Sequence, residues 1–272
     1  MATEADTCRT YVLPKLYADG WSDDQISEQR SFTDGRIVAT GGKTRRRPQK
    51  RADYLLRYRP NVMLAVVEAK ASHKNPADGL QQAKDYAKIL DLQFAFSTNG
   101  HGIIEHDFLT GKESARDTFP APGELWRRIQ AYHGLEQDEP AARFLAPLLT
   151  MPGKTLRYYQ EVAVNRVVAA ILRGQRRVLV TMATGTGKTV VALQICWKLW
   201  STRWNRTVGT ATPQYRKPRI LYLADRNFLV DDPKDKIFAP FGDARWKIEG
   251  GIVTHSREIY FATYQSIAKD ER

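Results

Sequence analysis

The chain of 272 residues carries 42 Lys and Arg against 30 Asp and Glu, a formal charge of +12, and 42% of its residues are hydrophobic. Such a composition supports a packed interior and excludes a disordered chain, while the absence of any long apolar stretch excludes a helical membrane span. The length suits two domains, and the positive excess points to a polyanionic partner, of which nucleic acid is the commonest.

Met1-Ala2-Thr3-Glu4-Ala5-Asp6 has no signal-peptide pattern, and Cys8 and Cys196 lie far apart without metal-type spacing. Free thiols in a reducing cytoplasm are expected. Residues 5–18 place Tyr11, Val12, Leu16 and Tyr17 at helical spacing, with Gly20 where a C-terminal cap belongs. The run Arg45-Arg46-Arg47-Pro48-Gln49-Lys50-Arg51 packs five basic residues into seven. A solvated loop is the plain reading, and Arg45, Arg46, Arg47, Lys50 and Arg51 are also candidate DNA phosphate contacts.

Two strand-like runs follow, Ala52–Tyr58 and Val62–Val67, separated by Arg59-Pro60-Asn61. A helix is expected over Leu80–Leu90 and a buried strand over Gln93–Ser97, ending in the turn Thr98-Asn99-Gly100-His101-Gly102. Residues 1–115 thus read as an α+β domain. Pro120, Pro122, Pro140, Pro147 and Pro152 punctuate short helical pieces around Trp126 and Phe144, so residues 116–154 read as a connector. From 155 to 272 the order is helix (Tyr159–Leu172), strand (Arg177–Met182), helix (Lys188–Leu199), strand (Arg219–Ala224), short helix (Asn227–Asp232) and strand (Ile259–Thr263). This alternation predicts an α/β domain with a parallel sheet.

Two constellations carry chemistry. In the second domain, an apolar run feeds Met182-Ala183-Thr184-Gly185-Thr186-Gly187-Lys188-Thr189 and then a helix. Strand, Gly-rich loop, Lys-Thr and helix is the arrangement that cradles a nucleotide triphosphate. Gly185 and Gly187 let backbone N–H groups face the phosphates beside Thr184 and Thr186, Lys188 reaches the β/γ-phosphates, and the Thr189 hydroxyl suits Mg²⁺. The first loop position is Met182 rather than Gly, a departure from the strict pattern.

In the first domain, an antiparallel hairpin with Pro60-Asn61 at its tip opposes residues whose numbers total 121, and Asp53 and Glu68 are such a pair. Opposed strand residues hold their Cβ atoms about 4.5–5.5 Å apart. Two carboxylates that close repel unless a divalent cation lies between them, and such oxygen ligands suit Mg²⁺. Lys70, two residues beyond Glu68, points to the same strand face and can orient water or offset phosphate charge. A charged hairpin with an exposed Glu68–Lys70 pair is the plain alternative. Gln82 and Tyr86 share one helix face.

Asp53, Glu68-Ala69-Lys70 and Gln82-Ala83-Lys84-Asp85-Tyr86 together resemble the PD-(D/E)XK nuclease core with its Gln-x-x-x-Tyr extension, associated with RecB-like nucleases and with the restriction subunit of Type I restriction–modification enzymes. Leu156-Arg157-Tyr158-Tyr159-Gln160 resembles the adenine-reading segment of superfamily 2 translocases, with Gln160 as base contact. Thr184–Thr189 is similar to their motif I, Ile220–Arg226 to motif Ia, and Tyr260–Gln265 to motif Ib. Nuclease followed by motor is the Type I restriction-subunit layout. The resemblance implies a PD-(D/E)XK-like α+β domain followed by a partial RecA-like domain. It also implies Mg²⁺-dependent cleavage of double-stranded DNA after ATP-driven translocation, methylation and specificity subunits as partners, a cytoplasmic setting without a membrane, and Glu4 as an auxiliary acid. Glu4 reads equally well as a helix N-terminal carboxylate. Asp270-Glu271 follows no buried strand, so the second acidic motif of such motors is not found. A fragment that binds ATP without efficient hydrolysis or translocation is therefore expected. A repair-type translocase with a non-cleaving N-terminal domain and a non-catalytic docking module are the alternatives.

Overall fold

A computed structural model describes residues 3–32, 37–40, 43–46, 49–208, 210, 212, 214 and 216–268. Two compact units divide it, Met1–Ala141 and Ala142–Arg272.

The first unit opens with helix α1 (Glu4–Thr7), which runs through a π turn (Cys8–Val12) into α2 (Leu13–Ala18). The Thr3 hydroxyl accepts from Asp6 N at 3.2 Å and Thr3 N donates to the Asp6 carboxylate at 2.8 Å, a reciprocal cap that fixes the helix start. Val12 and Leu16 are buried, as their spacing predicts, and Gly20 takes the left-handed conformation (φ 91°) after the helix.

Strands β1 (Ile26–Phe32), β2 (Ile37–Thr40), β3 (Lys43–Arg46), β4 (Lys50–Arg59) and β5 (Val62–Ala69) follow. Helix α3 (Leu80–Leu90) comes next, then β6 (Phe94–Thr98), β7 (Ile103–Asp107), β8 (Lys112–Arg116), helix α4 (Pro122–His133) and α5 (Asp138–Leu145), which crosses the division. β2 and β3 form a separate ribbon; the others make a six-stranded sheet in the order β1-β4-β5-β6-β7-β8. Its one parallel pair is β5 with β6, joined by the α3 crossover; every other pair is antiparallel. The hairpin follows the arithmetic of the sequence over Tyr54↔Val67, Leu55↔Val66 and Leu56↔Ala65, before an irregularity at Arg57.

The segment read as a connector is in part structural. Within the first unit, the Trp126 ring of α4 stacks on Tyr58 with centroids 5.2 Å apart. Arg128, also on α4, pairs with the buried Glu105 of β7 at 2.6 Å. An aromatic face and a charged one thus fix α4 to the sheet despite its flanking prolines.

In the second unit, α6 (Tyr158–Leu172) and α7 (Lys188–Ser201) accompany a parallel sheet of β9 (Ile220–Ala224), β10 (Arg245–Lys247) and β11 (Ile259–Thr263), ordered β10-β11-β9. Short helices α8 (Phe228–Asp232) and α9 (Tyr264–Ile267) follow β9 and β11. Leu193, Val230, Phe238, Phe241, Ile259 and Phe261 form its core. The expected strand Arg177–Met182 is not formed: the segment pairs with none of the three strands, and Leu179 is 91% exposed. An apolar run becomes a strand only where a neighbour takes its backbone groups, and no described strand does so here. Among the described residues, no helix is long and apolar enough to cross a membrane.

Candidate active site

The hairpin and the crossover helix bring Asp53, Glu68, Lys70, Gln82 and Tyr86 to one end of the sheet. β5 is buried along nearly its whole length, as a strand covered on both faces must be, and it carries Glu68 into the interior at 2% exposure. Asp53 lies beside it on β4: its Oδ2 accepts from Ala69 N at 2.8 Å and its Oδ1 from Gln29 Nε2 at 3.4 Å. Glu68 Oε1 is buried without a hydrogen-bond partner.

Burial is the largest influence on Glu68, and the neighbouring Asp53 charge adds to it. Together they push the carboxyl up to about 8, against the pull of the Lys70 ammonium and the Asp53 backbone N–H. Asp53 is also shifted up, by burial first and by Glu4 further. The Ala69 N–H, Lys70 and Arg51 oppose that shift.

Lys70 Nζ sits 3.3 Å from Gln82 Oε1 and 3.3 Å from Glu4 Oε1. Gln82 Nε2 in turn donates to the Tyr86 hydroxyl at 3.1 Å. Helical spacing on α3 thus turns Gln82 and Tyr86 to one face, and Gln82 links Tyr86 to the lysine of the strand. Lys50 lies 5.5 Å from the centre of the Tyr86 ring, and Phe32 meets that ring edge-on.

Mg²⁺ takes hard oxygen donors and tolerates few protein ligands. A buried carboxylate oxygen without a donor, next to a second carboxylate, is chemically what such a cation requires, so Asp53 and Glu68 fit it. No group of three His, Cys, Asp or Glu gathers as a metal site among the described residues, which leaves this two-carboxylate pair.

Three residues of the site were missed by sequence reasoning. Gln29 of β1 reaches Asp53 from a left-handed backbone (φ 51°). Ser97 of β6 is the register partner of Glu68 across the parallel pair. Gly79 precedes α3, and a Cβ there would meet Ser97 Oγ at 2.7 Å and Lys70 Cε at 3.1 Å. Only the Gly immediately before a helical pattern was a visible signal. Of the basic run, Lys50 and Arg51 lie on β4 and Arg45 and Arg46 on β3; Arg47 lies outside the described residues, as do Asp270 and Glu271.

The nucleotide-loop residues come together at the N-terminus of α7. Gly185 (φ 77°) and Gly187 (φ 84°) both adopt the left-handed conformation that the turn requires. Thr186 Oγ1 donates to Ala183 O at 2.6 Å, and Lys188 Nζ donates to Met182 O and Ala183 O, each at 3.2 Å. Thr184 is exposed, and Thr189 is half-buried on the first turn of α7. Gln160 is buried with both ends of its carboxamide engaged: Nε2 donates to Thr186 O at 2.9 Å and Oε1 accepts from Arg157 N at 3.0 Å.

The family described as Type III restriction enzyme, res subunit, matches residues 153–272. The chain is 39% identical over 282 aligned residues to the Type I restriction enzyme EcoAI endonuclease subunit of Escherichia coli, a match covering 99% of this chain and 33% of the relative. It is 35% identical to the EcoKI endonuclease subunit of Escherichia coli strain K12 over 65% of this chain and 16% of that protein. A solved fragment structure assigned to an HsdR subunit of a type I restriction enzyme from Vibrio vulnificus YJ016 superposes with a TM-score of 0.83 at 54% identity, covering 98% of this chain and 48% of that one. The chain therefore spans about a third of the length of the first of these relatives.

Proposed function

We propose, from its likeness to Type I restriction enzyme endonuclease subunits, that the chain is part of such a subunit, its first unit hydrolysing DNA phosphodiesters and its second taking up ATP for a DNA motor. Asp53 and Glu68 would hold Mg²⁺. Bound there, the cation supplies Lewis-acid stabilisation for charge that grows on the phosphate. Lys70 contributes a second positive charge to the same phosphate and orients the attacking water. Gln82 keeps the ammonium on the substrate side of the sheet, and Tyr86 supports Gln82.

Double-stranded DNA fits the net charge of +12. Lys50 and Arg51, on the strand that carries Asp53, are assigned to backbone phosphates together with Arg45, Arg46 and Arg47. In the second unit, the loop Thr184–Thr189 is assigned to the triphosphate, Lys188 to its outer phosphates and Thr189 to the nucleotide's Mg²⁺, with Gln160 as the adenine contact. The methylation and specificity subunits of a restriction–modification complex are the proposed protein partners, in the cytoplasm.

One observation carries the nuclease reading: the buried Glu68 carboxylate whose Oε1 has no partner, side by side with Asp53. The test is Mg²⁺-dependent nicking of supercoiled plasmid by the wild type and by Glu68→Ala. Loss of nicking in the variant is expected, and equal nicking by both would reject the reading.

A further inference from the structure

We propose that Ser97 and Gly79 form a clip that positions Lys70, a role that rests on the nuclease reading of the site. Ser97 is fully buried on β6, directly beside Glu68 in the register of the parallel pair. Residues paired across parallel strands show their side chains on the same face, so the Ser97 hydroxyl and the Glu68 carboxylate share one side of the sheet. There the hydroxyl accepts from the backbone N–H of Gly79 at 3.1 Å. That N–H belongs to the residue capping α3, and the first N–H groups of a helix have no partner within it. Ser97 supplies one and so fixes the helix start against the sheet.

Gly79 makes the approach possible. A Cβ there would stand 2.7 Å from Ser97 Oγ, 3.1 Å from Lys70 Cε and 3.4 Å from Glu68 Cβ. Its φ of −92° is open to any residue, so the demand for glycine comes from space and not from backbone strain. The bare backbone of Gly79 is the wall against which the end of the Lys70 side chain lies. One turn further along α3, Gln82 Oε1 accepts from Lys70 Nζ at 3.3 Å. Wall and acceptor sit on the same helix, and the Ser97 hydrogen bond sets where that helix begins. Glu4 meets the same ammonium from α1, and Glu68 and Asp53 face it from β5 and β4. The clip therefore fixes the end of the Lys70 side chain at the place where its ammonium meets Gln82 and Glu4 together.

The test is competitive acylation of lysines by a water-soluble reagent, read peptide by peptide by mass spectrometry on the 272-residue chain. Lys88, exposed on the same helix, is the internal reference. Gly79→Ala forces the wall outward; Ser97→Ala removes the acceptor without adding bulk and covers the case in which Gly79→Ala fails to fold; Ser97→Thr keeps the hydroxyl. The expected result is labelling of Lys70 raised several-fold relative to Lys88 in Gly79→Ala and Ser97→Ala, with Ser97→Thr close to wild type. In the nicking assay, kcat should fall by about 10- to 100-fold with KM for DNA unchanged, as for a small misplacement of a reacting group. A Lys70 to Lys88 ratio unchanged in both variants would overturn the clip, as would an equal rise at every lysine. Wild-type nicking by Lys70→Ala would instead remove the nuclease reading, and the labelling ratio would still decide whether the clip holds Lys70.

Discussion

Ala69 donates its backbone N–H to Asp53 Oδ2 at 2.8 Å, so the peptide that follows Glu68 fixes the carboxylate beside it. Asp53 thus has a compensating donor and Glu68 Oε1 has none. With its carboxyl pushed up to about 8, Glu68 is mostly protonated at neutral pH in the folded chain; holding that proton costs stability until a cation takes its place, and a neutral isostere avoids the cost. Glu68→Gln should therefore raise Tm at neutral pH by about 2 to 8 °C, equivalent to about 1 to 2 kcal/mol, while abolishing nicking. Millimolar Mg²⁺ should raise Tm in the wild type and not in the variant. Calorimetry with and without Mg²⁺ checks both, and a Tm lower in Glu68→Gln than in wild type would contradict this account of the pair.

Lys188 donates to Met182 O and Ala183 O, which keeps its ammonium folded over the loop that triphosphate oxygens would fill. Exchange of two carbonyls for phosphate oxygens converts neutral acceptors into charged ones. Lys188→Ala should weaken ATP binding by about 10- to 100-fold, the value of one charge-assisted contact. Gly187→Ala should weaken it as well, since Gly187 has φ 84° and an added Cβ would fall 2.4 Å from Gln160 Nε2. Titration with a fluorescent ATP analogue measures both, and undiminished affinity in Lys188→Ala would count against the assignment.

Glu105 is buried on β7 and is held by Arg116 of β8 and by Arg128 of α4, which also meets Glu124. Removal of Arg128 leaves the buried carboxylate with Arg116 as its one remaining cation of the two. Arg128→Ala should destabilise the first unit by about 2 to 4 kcal/mol, the range tempered by the partial exposure of the guanidinium. Amide hydrogen exchange of the α4 and β7 peptides in urea reads the loss. A change below about 0.5 kcal/mol would show that α4 is held by its buried apolar face, the Tyr58–Trp126 stack included, and not by the ion pair.

What was legible in the sequence follows the physics of burial. β5 shows as a continuous apolar run because it is covered on two faces, β4 shows by its central Tyr54-Leu55-Leu56, and the register between them follows from the short tip at Pro60-Asn61. The Glu68, Lys70, Gln82 and Tyr86 spacings were visible for the same reason, since strand and helix periods dictate which side chains share a face. The edges were not legible. β1 reads Ile-Ser-Glu-Gln-Arg-Ser-Phe and β8 Lys-Glu-Ser-Ala-Arg, polar as edge strands are, with no periodicity to detect. Gln29 was hidden within such an edge, and Ser97 within an apolar strand where one small hydroxyl leaves no signal. The run Val178–Val180 shows the converse: an apolar pattern without a neighbouring strand stays exposed.

Lys198, on the last turn of α7, is fully buried, and its Nζ donates to Phe144 O at 2.5 Å. Desolvation lowers its ammonium to about 8 from an ordinary value of 10.5. The sign follows from proton binding. Between these values the unfolded chain holds the proton and the folded one releases it, so stability rises with pH across that window. Below pH 8 both states are charged and the full burial cost is present; above pH 10.5 both are neutral and the cost is gone. The replacement Lys198→Met carries no such charge but leaves the Phe144 carbonyl without its donor. Relative to that variant, the wild type should gain roughly 2 to 4 kcal/mol between pH 7.5 and 10.5. Taking the difference between the two proteins cancels every other group that titrates in the same range. Urea unfolding of both at half-unit pH steps provides the curve. A difference that stays flat would mean that the ammonium is reached by water in the folded state, and one that falls with pH would reverse the sign derived for its burial.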